Sequence, residues 1–186
     1  GNILNVLEVM TDPNTVLRKE GVELAVKAMP GVKIIQEVAD ITSIEEATEK
    51  IQNAIAAQKD KIDGIVCTGY TTTVATAQIL AEYNKTAKKK IRFIGIDDDP
   101  VVVKAIKDGY IDATIAQNPY GHGYISCMLN KYLIDGYTVK AGAYMVNSGA
   151  LVVTKANLDT YSSMLGAVTA DILKKLEKDY LVAPKK

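Results

Sequence analysis

Two short segments constrain the fold of this chain most. Ile62 to Cys67 and Ile91 to Ile96 are nearly unbroken apolar runs, too short for a buried helix. A strand reads this way when both of its faces are covered, and that happens in parallel sheets flanked by helices. The rest of the chain repeats the alternation. Ile3 to Val9 predicts a strand, and Val16 to Met29 a helix that stops at Pro30-Gly31. Val32 to Val38 predicts the next strand. Ser43 with Glu46 three residues on forms a capping box, and Ile44, Ala47, Ile51, Ala54 and Ile55 follow at helical spacing. Thr72 to Tyr83 is the next helix. Pro100 opens another that Gly109 ends, and Ile111 to Ala116 is a short strand. Tyr124 to Ile134 is a helix ended by Gly136. Ala143 to Val146 and Ala150 to Val153 read as strands, and Ser162 to Lys178 as a final helix. Short connections between alternating strands and helices predict an α/β fold: a parallel sheet with helices on both faces.

Composition narrows the function. The 186 residues suffice for one good core, or for one domain with an appendage. Twenty-two basic and 22 acidic residues cancel, whereas a protein that neutralises nucleic-acid phosphates carries a basic excess. The run Lys88-Lys89-Lys90 reads as a solvated loop before a strand. One histidine, His122, and two cysteines without a Cys-x-x-Cys pattern supply too few ligands for zinc, and no cofactor is expected. Cys67 and Cys127 both lie in apolar stretches and are expected as buried free thiols. No apolar run reaches the length of a membrane span. Gly1 is not a natural start, so an N-terminal piece is expected to have been removed.

In open parallel sheets ligands bind beyond the carboxyl ends of the strands. The residues there are Asp12, Asn14, Asp40, Ile41, Thr68, Gly69, Tyr70, Asp97, Asp98, Gln117 and Asn118. Carboxylates, amides and hydroxyls dominate this set, which suits a neutral polyhydroxylated ligand. A phosphate would call for a glycine-rich loop or cations, and neither Gly-x-Gly-x-x-Gly nor a P-loop pattern is present. No Ser, Cys or His nucleophile constellation accompanies the carboxylates, so binding rather than catalysis is expected. Each position has a plainer reading. Asp97 and Asp98 also read as caps of the helix begun by Pro100, Asp12 and Asn14 as Asx-turn residues, Gln117 as part of a turn, and Tyr70 as ordinary surface.

An ordered series of segments carries a family resemblance. It comprises Ile62 to Tyr70, Phe93 to Asp97, Val103 to Gly109 and Ala113 to Pro119, with Arg18-Lys19-Glu20-Gly21 upstream. Together they resemble the C-terminal lobe of the type I periplasmic sugar-binding proteins, the solute receptors of ABC importers, over about residues 3–158. The resemblance implies Asp97 as the sugar-binding aspartate and Gln117 as the amide at the crossover between lobes. Ile41 falls where relatives place an aromatic ring on the sugar face. Gly69 falls where they carry an asparagine, which passes the polar contact to Thr68 or Tyr70. The family's sugar-binding arginine falls near Val16, which leaves Asp12 or Asn14 to do this work or makes the site a different one. The implied organisation is a lobe over residues 1–140 with a crossover helix at about 121–135, then returning strands and a C-terminal helix over 141–186. The chain then begins where a first lobe would cross to the second. On the crossover helix Tyr124, Met128, Leu129 and Tyr132 would await that lobe or a second copy. The implied partners are a monosaccharide or short oligosaccharide and an ABC transporter permease, outside the cytoplasm or lipid-anchored at the cell surface. A LacI-type repressor core and the sensing domain of a membrane sensor share the same pattern and stay open.

Overall fold

The computed structural model of the chain describes residues 1–185, apart from the side chain of Lys59. The elements in order are β1 (Asn2–Val6), α1 (Pro13–Lys27), β2 (Lys33–Val38), α2 (Ile44–Gln58), β3 (Gly64–Cys67), α3 (Tyr70–Thr86), β4 (Arg92–Ile96), α4 (Pro100–Asp108), β5 (Ala113–Gln117), α5 (Pro119–Ile134), β6 (Thr138–Val139), β7 (Ala150–Thr154), α6 (Tyr161–Tyr180) and β8 (Leu181–Val182). The expected α/β fold is present as a six-stranded sheet of order β2-β1-β3-β4-β5-β7, while β6 and β8 form a separate antiparallel pair. β1 pairs parallel with both β2 and β3, β3 with β4, and β4 with β5. The chain divides into two compact units: Gly1–Ile115 with Val152–Leu158, and Ala116–Leu151 with Asp159 onward.

In the first unit α2 packs on α3, and α3 on α4. Their apolar stripes meet Leu4, Val6, Val38, Ile65 and Phe93 in one core cluster. Residues alternate across a strand, so Asn5 lies between Leu4 and Val6 on the opposite face. There it is fully buried and donates through Nδ2 to Glu37 Oε1 at 3.1 Å, while Lys19 of α1 pairs with the same Glu37 at 2.8 Å. β4 departs from the expectation that both its faces are covered. Phe93 is 1% exposed but Ile94 on the reverse face is 38% exposed.

Four local readings change. β1 leaves the sheet at Val6 instead of running to Val9, because Leu7 N–H turns to Val38 O and Glu8 O accepts Asp40 N–H. The capping box is offset by one residue: Ser43 Oγ accepts Glu46 N–H, but the Glu46 carboxylate returns to Thr42 N–H at 2.9 Å. In the second unit Ala143 to Val146 forms no strand, and Ala143 N–H turns back to Lys140 O at 3.0 Å. Cys127 is exposed while Cys67 is buried, because Ile125 marks the inward side of α5.

Candidate ligand-binding site

The strand order reverses beside β1: the chain steps outward to β2 and then returns to place β3 on the other side. At such a switch point the loops after the two central strands diverge and leave a crevice. Glu8 follows β1 here, and Thr68-Gly69-Tyr70 follows β3. The threonines of α3 fix this turn. Thr72 Oγ1 donates to Gly69 O at 3.1 Å, and Thr73 Oγ1 accepts Ile96 N–H at 3.0 Å. α3 comes this close to β4 because residue 95 is glycine; a Cβ there would stand 2.4 Å from Thr73 Cγ2. Beneath the turn Cys67 Sγ lies 3.1 Å from Thr76 Oγ1, and burial pushes its thiol up to about 12.

Around the turn the polar groups converge. Thr68 is 6% exposed, and its hydroxyl has no hydrogen-bond partner. Arg18 of α1 donates through Nη1 to Thr68 O at 3.0 Å. Glu8 Oε1 accepts the Thr71 N–H at 2.8 Å, in the first turn of α3. Gly69 is the N-cap of α3, and its missing side chain makes room for that carboxylate: a Cβ would lie 2.0 Å from Glu8 Cδ. Tyr70 OH donates to Asp99 Oδ2 at 2.8 Å, and this bond, with the charges of Asp99 and Asp97, raises its phenol above the ordinary value.

Asp97 leaves β4 in the left-handed region at φ 68°. Its N–H donates to Ile115 O at 2.9 Å, and its carbonyl accepts from Thr114 Oγ1 at 2.7 Å. The cap of α4 is Asp99, whose Oδ1 accepts Val101 N–H at 2.8 Å. Asp97 and Asp98 are therefore not needed as that helix's cap.

Other candidate positions serve local structure. Asp12 caps α1: its Oδ1 accepts from Asn14 N–H and Nδ2, and its Oδ2 from Thr15 Oγ1. Asn14 stands in that same turn, as the Asx-turn reading has it. Ile41 is 1% exposed within the core cluster, so it presents no face to a ligand. Asp40 is left-handed at φ 55°, and its Oδ1 accepts Met10 N–H at 3.1 Å. Gln117 ends β5 and is exposed, and it belongs to the second unit. There Asn118 caps α5, its Oδ1 accepting Gly121 N–H and its Nδ2 donating to Ser148 O and Thr169 Oγ1.

The sequence pattern missed two residues at the turn. Arg18, not position 16, is the residue that α1 brings to Thr68. Its place in Arg-x-x-Gly was the available signal. Glu8 was hidden inside a strand read three residues too long. Among the described residues no cluster of three His, Cys, Asp or Glu groups suits a metal ion, and no helix is long and apolar enough to cross a membrane.

Residues 1–138 match the family described as periplasmic binding protein domain. Three solved structures share the fold. One is a carbohydrate transporter solute-binding protein from Agrobacterium radiobacter in complex with D-arabinose; identity is 25% and the TM-score 0.76, covering 91% of this chain and 55% of that one. Another is a sugar ABC transporter sugar-binding protein from Bacillus halodurans, with 20% identity, TM-score 0.75, and coverage of 87% and 57%. A third, from Burkholderia graminis, is an ABC transporter solute-binding protein also in complex with D-arabinose, with 22% identity, TM-score 0.72, and coverage of 87% and 55%. This chain thus spans little more than half the length of these structures. Among curated proteins none matches by sequence. With the family match covering most of its length, this chain belongs to the periplasmic binding protein domain family.

Proposed function

We propose that this chain is the C-terminal lobe of an extracytoplasmic, lipid-anchored or periplasmic receptor that binds a neutral sugar for an ABC importer. The observation that carries this reading is the switch-point turn. In a chain of this family it gathers Arg18, Thr68, Tyr70 and a left-handed Asp97 at the carboxyl edge of one sheet. Carboxylates and hydroxyls accept from sugar hydroxyls, and a guanidinium donates to sugar oxygens. Gln117, at the end of β5, is the amide proposed for the crossover. The receptor works by binding and hinge closure, and breaks no bond. The test is calorimetry of the intact receptor against pentoses, hexoses and short oligosaccharides. Saturable heat with a neutral sugar, weakened in Asp97→Asn, supports the reading. No sugar response, or an unchanged titration in Asp97→Asn, refutes it.

The organisation proposed for the chain remains residues 1–140 as lobe and crossover and 141–186 as return strands and final helix, although the compact units divide at Ala116 and not at 140. Tyr120, Tyr124, Leu133 and Ile134 are exposed along α5, whereas Met128, Leu129 and Tyr132 are half-buried. The Ala143–Val146 segment carries Tyr144 and Met145 at 88% and 78% exposure. An apolar surface of this kind, on α5 and on a segment outside either sheet, fits a first lobe that supplies a packing face. A concentration-dependent dimer of the 186-residue chain in light scattering would instead assign this surface to a second copy.

A further inference from the structure

The N-terminus of α3 faces the ligand edge, and a helix N-terminus ordinarily attracts anions through its unpaired N–H groups. Here it is already filled. The Glu8 carboxylate takes the Thr71 N–H at 2.8 Å and occupies the space over Gly69 that any side chain would need. Asp97, Asp98 and Asp99 stand on the neighbouring loop, and Asp99 is tied to the first residue of α3 through Tyr70 OH. Arg18, the nearby cation, donates to the Thr68 carbonyl. The buried, unpartnered Thr68 hydroxyl at the same turn is a polar group suited to a neutral hydroxyl partner.

We propose that Glu8 is a specificity-determining residue: a built-in anion at the start of α3 that makes the ligand edge accept hydroxyl-bearing neutral or cationic sugars and refuse sugar phosphates and sugar acids. This deepens the sugar-receptor reading and rests on it for the location of the ligand. Glu8 Oε1 is fixed by the helix, and an ionised carboxylate offers acceptors only. A ligand hydroxyl can donate to it, whereas a phosphate oxygen meets like charge where the helix would otherwise have welcomed it.

The test needs no knowledge of the sugar. The 186-residue chain, Glu8→Gln and Glu8→Ala are titrated with inorganic phosphate at neutral pH while the Thr71 and Thr72 amides are followed by nitrogen–proton NMR. The parent amides are expected to show no saturable shift. Glu8→Ala should saturate with at least about tenfold tighter binding than the parent, and Glu8→Gln should fall between, since it keeps the bond and loses the charge. In Gly69→Ala the new Cβ displaces the carboxylate, so the Thr71 amide should move before any phosphate is added. Glu8→Gln keeps the phosphate test decisive even if Glu8→Ala fails to fold. Saturable phosphate shifts in the parent, phosphate-inert Glu8 variants with α3 intact, or an unmoved Thr71 amide in Gly69→Ala would each overturn the proposal. If the intact receptor takes no neutral sugar while these phosphate results hold, the receptor reading fails and the role of Glu8 as a helix-filling anion stands.

Discussion

Replacing Asn84 by alanine removes three hydrogen bonds from one buried site. Nδ2 donates to Ile91 O at 3.0 Å and to Tyr110 O at 2.8 Å, and Oδ1 accepts Ile91 N–H at 3.0 Å. The residue is 3% exposed, so bulk water does not compete for these bonds in the parent. A hydrogen bond contributes about 1 kcal/mol net, and a buried group left unpaired costs about 1–3 kcal/mol. Three bonds give about 3 kcal/mol as the lower end, and water entering the vacated space keeps the total near about 5 kcal/mol. With a urea slope of about 2 kcal/mol per molar, the unfolding midpoint should fall by about 1.5 M or more. Urea unfolding followed by circular dichroism reads this directly. Asn53→Ala, on the exposed side of α2, is the control and should change stability by no more than about 0.5 kcal/mol. An Asn84→Ala midpoint within about 0.5 M of the parent, or a control that falls as far, would refute the assignment of Asn84 as the clasp joining α3 to the entrance of β4.

Three further outcomes are expected. Because Asp97 is left-handed, Asp97→Asn and Asp97→Gly should keep thermal stability, while Asp97→Ala should lose about 1 kcal/mol, or about 2–4 °C in Tm. Equal stability of the alanine and asparagine variants in calorimetry would contradict this. The Glu46 carboxyl is held down to about 2, first by Lys50 and then by Thr42, against an ordinary value of 4.5. A depressed carboxylate stabilises above its unfolded value and loses that contribution as pH falls through its folded value. The first turn of α2 should therefore hold at pH 5 and loosen between about 4.5 and 2, seen in the Thr42 amide shift and absent in Glu46→Gln. A thiol reagent at mildly alkaline pH should modify Cys127 in the folded chain and reach Cys67 only after unfolding, since burial raises the Cys67 thiol to about 12. Two equivalents consumed under native conditions would contradict the burial of β3.

The alternation of apolar runs and capped helices foretells the parallel sheet, because period and length are written locally. What sequence leaves illegible is set by distant partners. Ala143–Val146 has the pattern of a strand, but pairing depends on a neighbour that the pattern cannot supply. Glu8 sits in an apolar context that reads as strand, and only the turn of Leu7 toward Val38 brings it to the rim. Ile41 is expected at a ligand position yet is buried in the same core cluster as Leu4, Val6 and Ile51. Asp99 rather than Asp97 or Asp98 caps α4, a choice among three adjacent aspartates that depends on backbone angles and not on residue type. Gly69 reads as a lost contact in sequence, and in space it is the room that Glu8 fills.

The left-handed turns at Asp40 and Asp97 carry a thermodynamic consequence. Each is an unusual shape for a residue with a side chain, and each is held by bonds from the chain itself: Met10 to Asp40, and Thr114 with Ile115 to Asp97. The entropy of shaping these exits is then lost when the protein folds, before any ligand arrives. Binding of the proposed sugar at this rim should consequently show a small ordering penalty, with a heat-capacity change tracking the apolar area that it covers rather than any loop settling into place.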